Sequence, residues 1–190
     1  MEQWSEQCTT DDDGPELPVF LDMLSGPKFP LAKAFEWAGW KVVQPLDILI
    51  DPEFDLTSST VQKAVAKILP QCHAVSAAMD CSTKSRIREI ALPGSAGPRP
   101  LRSQKFPRGL PHLKGRDRDR VTSDNSCSDF LLAVQHVMHL KSRAAFRENP
   151  RRSLHWVDPN EVWMQQYGGW FDFLYDNCCF LAARKKAQTI

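Results

Sequence analysis

An apolar run that ends in a cysteine constrains this chain most. Residues 74–79 read AVSAAM, and Asp80, Cys81 and a basic segment follow them. A buried strand that brings one cysteine to its carboxyl end is where an α/β enzyme places a nucleophile. The neighbouring Asp80 argues against an activated thiol, because a carboxylate beside a thiol disfavours the thiolate. The sequence alone leaves this conflict open.

Other segments of the chain predict strands and helices around this run. Residues 19–24 (VFLDML) form an apolar run that stops at Ser25-Gly26, and the apolar spacing from Pro30 to Gly39 is that of a helix. The remaining patterns predict strands at 41–48, 53–56, 73–79, 143–147 and 170–175, and helices at 60–69, 122–142 and 158–166. Strands that alternate with helices in this way predict an α/β fold.

Length and composition fit one domain. The chain has 190 residues, 42% of them hydrophobic, and we expect a disordered acidic tail at 1–17 and a single domain at 18–190. There is no apolar run of about 18 to 20 residues and no secretory signal pattern, so we expect an intracellular protein, nuclear or cytoplasmic, without a membrane partner. The six cysteines show no CxxC spacing and Cys72-His73 has no second pair, so no metal site is expected.

Charge is distributed unevenly along the chain. Residues 1–57 hold 12 acidic and 3 basic side chains, whereas residues 84–120 hold 11 basic and 3 acidic ones. Seven prolines and glycines between Pro93 and Gly109 predict a long basic loop at 82–121. Its charge is typical of phosphate contacts or, alternatively, of a solvated loop. The candidate nucleic-acid-binding residues are Lys84, Arg86, Arg88, Arg102, Arg151 and Arg152.

Two further polar positions follow predicted strands. Asp47 ends the second strand, where α/β nucleotide-binding domains hold a ribose hydroxyl pair, although it also fits an ordinary loop aspartate. Glu148-Asn149 precedes Pro150, and the proline is expected to end the strand and leave both side chains at its edge. Besides Cys81, the sequence therefore has two further candidate positions at the ends of predicted strands.

The order of these motifs resembles the DNA cytosine-5 methyltransferases. Residues 20–26, FLDMLSG, look like the first motif of that family, whose turn cradles the methionine end of S-adenosylmethionine. The resemblance implies a three-layer Rossmann-like methyltransferase sheet with helices on both faces. It also implies cofactor contacts by Asp22, Leu24, Ser25, Gly26, Asp47 (to the ribose) and Asp55 (to the adenine amino group).

The same resemblance assigns catalytic roles. Asp80-Cys81-Ser82 falls where the family has a proline-cysteine nucleophile motif, and residues 147–149 match its Glu-Asn motif. In that family the cysteine attacks cytosine C6 and the glutamate contacts N3 of the ring, which implies Cys81, Glu148 and Asn149 as catalytic residues and DNA as the nucleic acid.

Two alternatives to an active enzyme stay open. Asp80 before Cys81, and the prolines after Gly26, are departures from the family that favour an inactive methyltransferase-fold module binding nucleic acid or a protein. The chain also fits a subunit of a larger assembly, with a docking surface made of Trp156, Trp163, Trp170 and Phe171, although aromatic residues at such spacing also build cores.

Overall fold

A computed structural model describes residues 16–90, 94, 97–167, 169–176 and 187–189. Most of the predicted acidic tail therefore lies outside the described residues. The chain divides into two compact units: residues 1–78 with 133–146 form unit 1, and residues 79–132 with 147–190 form unit 2.

Unit 1 is built on parallel strands. The first strand, β1 (Val19–Met23), is buried along its whole length. It pairs in parallel with β2 (Lys41–Val42) on one side and with β3 (Ala74–Ala78) on the other. The next strand, β4 (Ala144–Pro150), begins in this unit and gives the parallel order β2–β1–β3–β4. The predicted α/β class is confirmed, and this order is compatible with a Rossmann-like fold.

Helices and aromatic rings complete the core of unit 1. Helix α1 (Pro30–Trp37) starts with proline in its first turn, and helix α2 (Ser59–Ile68) buries the stripe Val61, Val65 and Ile68. The ring of Phe20 on β1 stacks on Phe35 of α1 with 3.7 Å between the centroids. The apolar spacing predicted this face for α2. In α1 the predicted face of Leu31, Ala34, Phe35 and Ala38 is wrong, because only Phe35 of these is half-buried and Ala32 is the buried residue.

Unit 2 contains the amino-terminal part of a long helix, α3 (Gly115–Leu140), and a short one, α4 (Pro159–Tyr167). Strands β5 (Leu174–Asp176) and β6 (Ala187–Thr189) are antiparallel, and β6 also pairs with the end of β4. Among the described residues of unit 2, the buried apolar side chains are Met79, Leu101, Val121, Leu131, Leu132, Leu154 and Met164. No helix within the described ranges combines the length and apolar character needed to cross a membrane.

The predicted basic loop at 82–121 is shorter than expected. Helix α3 begins at Gly115 rather than at residue 122, because residues 116–120 alternate arginine and aspartate without a proline or glycine. A one-turn 3-10 helix at Arg86–Glu89 also interrupts the loop. The charge of this segment therefore resides partly on regular structure.

Four predicted strands also differ from the structure. The one predicted at 170–175 forms only over Leu174–Asp176. The segment 53–56 is not a strand: Pro52–Phe54 form a 3-10 turn, capped by Asp51, which accepts the Glu53 N–H. Strand β2 stops at Val42, and the later residues of the predicted run contribute a single bridge, from Leu46 to Met23. Strand β4 does not stop before its proline, because Pro150 lies at its last position, where a missing N–H costs little.

Candidate functional site

The carboxyl end of β1 in unit 1 carries a buried carboxylate. The chain passes from β1 to β2 on one side and later to β3 on the other, so the strand order reverses between β1 and β3. At this point Ser76 of β3 donates its hydroxyl hydrogen to Oδ1 of Asp22 on β1. Ligands of open α/β sheets bind outside the carboxyl ends of strands at such a reversal.

Asp22 is only 3% exposed. Its second oxygen, Oδ2, has no hydrogen-bond partner of good geometry in the described part of the chain, although the backbone N–H of Ala32 is near enough to act on the carboxylate. Burial raises the pKa of Asp22, and the Ser76 hydroxyl and the Ala32 N–H oppose that shift. A buried acid with an incompletely used carboxylate reduces stability and marks a candidate ligand position.

Replacement of Asp22 by asparagine is expected to raise the free energy of unfolding by about 1 kcal/mol at neutral pH, because the neutral amide does not bury a charge. Its oxygen can face the Ala32 N–H while its NH2 group donates to Ser76. Since the folded-state pKa of Asp22 is raised, the gain shrinks as pH falls and vanishes below the ordinary value of 3.8. Urea unfolding at several pH values measures this difference.

The exposed substitution Glu36→Gln, also in unit 1, is the matched control and should stay within about 0.5 kcal/mol of wild type. A D22N protein that is less stable than wild type at neutral pH would contradict the assignment of a costly buried carboxylate.

The turn after β1 is held by Asp47. The N–H of Gly26 donates to Asp47 Oδ2 at 2.8 Å, and the N–H of Leu49 donates to Oδ1 at 2.8 Å. Gly26 has φ +68°, and a Cβ there would meet no atom within 4 Å. Leu24 also has positive φ and donates its N–H to Leu46 O. Asp47 thus supports its own loop, as a structural aspartate does, and each oxygen keeps one further lone pair.

The other predicted cofactor residues surround this turn or lie after β2. Ser25 is half-buried, and its hydroxyl donates to the Gly26 carbonyl oxygen at 3.3 Å. Asp55 is half-buried before α2, where its Oδ1 accepts both the N–H and the hydroxyl of Thr57 at 2.8 Å. A hydrogen bond links Gly26 with Asp47, whereas the side-chain hydrogen bonds of Asp55 within the described residues go to Thr57.

These residues fit S-adenosylmethionine on two observations. The open space beside Gly26 leaves room for a ligand to approach the backbone, and Asp22 Oδ2 has an acceptor position that its neighbours do not fill. Asp47 fits a ribose contact only through lone pairs left over from the turn. Unit 1 thus offers acceptor oxygens on Asp22 and Asp47 and an open backbone position at Gly26.

Cys81 lies in unit 2, in the turn that follows β3, and is a half-buried cysteine that forms no disulfide within the described residues. The carboxylate of Asp80 is bonded to Ser82 on both oxygens: Oδ1 accepts the N–H at 2.8 Å and Oδ2 accepts the hydroxyl at 2.6 Å. The Cys81 carbonyl accepts the N–H groups of Lys84 and Ser85. Asp80 thus shapes the turn that presents Cys81, which explains an acidic residue at this position.

The predicted Glu-Asn pair belongs to the same unit as Cys81. Asn149 is fully buried, and its Nδ2 donates to the carbonyl oxygen of Met79 at 3.1 Å. This bond joins the backbone just before Cys81 to β4. Glu148, the preceding residue on β4, is half-buried. Asn149 acts here on the main chain, a role that its position in the sequence did not indicate.

Lys84 and Arg102 are buried, which corrects their assignment as nucleic-acid contacts. Both are 1% exposed and both pair with Asp124 of α3. Lys84 Nζ lies 3.0 Å from Asp124 Oδ1 and 2.5 Å from Ser128 Oγ, and Arg102 Nη2 lies 2.9 Å from Asp124 Oδ2. The two cations therefore stabilise the interior of unit 2 and do not form a basic surface.

Arg102 is the most extensively bonded side chain of this cluster. Besides Asp124 it donates to Thr83 Oγ1, to Asn125 Oδ1 and to the carbonyl of Pro107. Burial lowers the pKa of Arg102, and the charge of Asp124 opposes that shift. Because α3 begins at Gly115 and not at residue 122 as predicted, Asp124 lies within the helix.

A second buried cluster was not predicted. Both terminal nitrogens of Arg147 donate to the carboxylate of Glu161, and His155 Nε2 lies 3.5 Å from Glu161 Oε1. Burial lowers the pKa of His155 well below its ordinary range, so its ring is neutral, and burial raises the pKa of Glu161. A glutamate in the first turn of an amphipathic helix normally faces solvent, so periodicity alone carried no signal for this pair.

The remaining predicted contacts lie at or near the surface. Arg151 and Arg152 are exposed, and Arg86 and Arg88 are half-buried in their 3-10 turn. Of the aromatic residues considered for docking, Trp163 and Phe171 are exposed, Trp170 is half-buried, and Trp156 is half-buried with its indole N–H donating to Pro150 O.

The described residues were also searched for a metal site, and the chain was compared with known proteins. Within the described ranges, no group of three or more histidine, cysteine, aspartate and glutamate side chains is arranged to hold a metal ion. No protein-family model, curated protein or solved structure matches the chain.

Proposed function

We propose that the chain is an S-adenosylmethionine-dependent DNA cytosine-5 methyltransferase-like domain with a three-layer Rossmann-like sheet. The observation that carries the proposal is the Asp22–Ser76 hydrogen bond at the reversal of strand order between β1 and β3. The second oxygen of Asp22 is then buried without a hydrogen bond of good geometry. It lies at the carboxyl ends of the strands, where α/β folds bind nucleoside ligands.

The residues of unit 1 would hold the cofactor. Asp22, Leu24, Ser25 and Gly26 make up the end of β1 and the turn that follows it, with Asp47 anchored to Gly26 and Asp55 further along the chain. When bound, S-adenosylmethionine supplies an electrophilic methyl group. The chain itself contributes the open backbone at Gly26 and the acceptor oxygens of Asp22 and Asp47.

The residues of unit 2 would act on the base. Cys81 Sγ, as thiolate, would add to C6 of cytosine and open the C5–C6 double bond, while Glu148 stabilises the activated ring through a contact at N3. Once C5 carries the methyl group it would lose its proton to water, and the C6–S bond would break to return the Cys81 thiolate. Asn149 is a positioning residue, because its amide holds the Met79 carbonyl and so the backbone that leads to Cys81. Asp80, bonded to the N–H and hydroxyl of Ser82, keeps the turn in shape.

The test is a covalent trap. Wild-type protein incubated with S-adenosylmethionine and a duplex containing 5-fluorocytosine is expected to form a protein–DNA adduct that survives denaturing electrophoresis, and C81S is expected to form none. Cys127→Ser removes another half-buried cysteine thiol and should leave the adduct unchanged. Absence of an adduct in wild type, with intact cofactor binding, would rule out the catalytic proposal.

A second candidate is an inactive module of the same fold that binds nucleic acid or a protein partner. It is favoured by two observations: the carboxylate of Asp80 adjoins Cys81, and both oxygens of Asp47 already hold its own loop. Calorimetric titration with S-adenosylmethionine separates the candidates, because the inactive module needs no cofactor. Heat of binding that is lost in the D47A variant favours the first candidate.

A further inference from the structure

Four arginines of unit 2 form no ion pair within the described residues, and they lie on segments that meet at the Cys81 turn. We propose that Arg86, Arg88, Arg116 and Arg120, the arginine face, bind the phosphodiester backbone of a nucleic acid. The inference rests on the proposed function in that the ligand is a nucleic acid, but it requires neither the cofactor nor the methyl transfer.

Two of these guanidinium groups converge on Ser82, the residue after Cys81. Arg88 donates from Nε to the Ser82 carbonyl at 2.5 Å and from Nη1 to the Arg99 carbonyl at 3.0 Å. Arg120 donates from Nη2 to the Ser82 hydroxyl at 3.3 Å. The contacts join the 3-10 turn Arg86–Glu89 and the start of α3 to one short loop, so their charges concentrate beside Cys81.

The other two guanidinium groups, of Arg86 and Arg116, have no partner among the described residues. Within the described residues, neither the Arg86 side chain nor the Arg116 side chain makes a hydrogen bond or an ion pair. Arg116 is exposed and lies one helical turn before Arg120, so both side chains project from the same side of α3. Arg86 is half-buried and lies two residues before Arg88. Both forks retain their full set of donors for a ligand.

Acidic side chains near this surface are largely occupied elsewhere. Asp124 pairs with Lys84 and Arg102, Asp117 pairs with Arg99, Asp119 lies beside Arg118, and Asp80 is bonded to Ser82. Glu89, exposed in the same 3-10 turn, and Asp80, whose bonds to Ser82 carry no positive charge, are the carboxylates near this surface without a cation among the described residues, so four arginines face two of them. A net positive face with planar, bidentate donors suits phosphate oxygens.

The test compares two double variants by fluorescence anisotropy with a labelled DNA duplex between 50 and 200 mM salt. R86Q/R116Q removes two charges that make no internal bond, so the fold should be preserved. We expect its affinity to fall at least about ten-fold, and the slope of log K against log salt to decrease by about 1.8, for two lost phosphate contacts. K63Q/K67Q removes two exposed charges from α2 in unit 1 and should match wild type.

Equal affinity and salt slope for the two double variants would overturn the inference, and so would competition by polyglutamate as effective as competition by unlabelled DNA. Calorimetry of R86Q/R116Q with S-adenosylmethionine keeps the two proposals apart. Loss of DNA affinity with unchanged cofactor binding supports the arginine face. Salt-dependent DNA binding by a wild-type protein that does not bind the cofactor supports the arginine face while rejecting the proposed enzyme.

Discussion

Replacing Asp124 by alanine is expected to lower the free energy of unfolding by about 3–5 kcal/mol, because it leaves two buried cations without a counter-charge. Lys84 and Arg102 are each 1% exposed, and Asp124 is the carboxylate that both contact. Chemical denaturation at neutral pH measures the loss. The Cys81 turn should loosen as well, since Lys84 donates its N–H to the Cys81 carbonyl.

Asp129 offers a matched control on the same helix. It pairs with Arg108, but its side chain is 46% exposed, so D129A is expected to cost no more than about 1 kcal/mol. If D124A does not fold, Lys84→Met still tests the cluster, because Asp124 then keeps Arg102 as its partner and the loss should be smaller than for D124A. Equal costs for D124A and D129A would contradict a buried charge network.

Replacing Arg147 by methionine is expected to destabilise the protein by about 3 kcal/mol at pH 8, because Glu161 then stays buried without its cation. Burial already raises the pKa of Glu161 and Arg147 opposes that rise, so the variant raises the pKa further. The folded form then holds a proton that the unfolded form releases above its ordinary value of 4.5. The cost is therefore full at high pH and declines as pH falls.

His155 adds to this decline of the cost at low pH. Its pKa is lowered, first by burial and also by the charge of Arg147, so wild type loses stability as pH falls below the ordinary value of 6.5. Removing Arg147 relieves part of that effect. Urea unfolding at pH 8 and pH 5 should show a smaller difference between R147M and wild type at pH 5.

Arg152→Met, an exposed substitution of the same type, should stay within about 0.5 kcal/mol of wild type at both pH values. A cost for R147M that does not change with pH would mean that Glu161 is not the group that Arg147 stabilises.

The elements that follow from local pattern were predicted well. Strand β3 needed only its apolar run, and α2 needed only the spacing of Val61, Val65 and Ile68. The predicted start of α3 at residue 122 is seven residues too late, since the charged residues from 115 to 121 fit a solvated loop as well as a helix. Local polarity does not distinguish a solvated loop from a charged helix face.

The sequence by itself determined the α/β alternation and placed polar residues such as Cys81 and Asn149 near strand ends, because burial periodicity is encoded locally. Only the tertiary structure decided which charges are internal. Lys84 and Asp124 are 40 residues apart, and nothing near Lys84 distinguishes it from Arg86. A lysine is buried only where a distant carboxylate meets it, so the division between interior cations and surface arginines belongs to the folded chain.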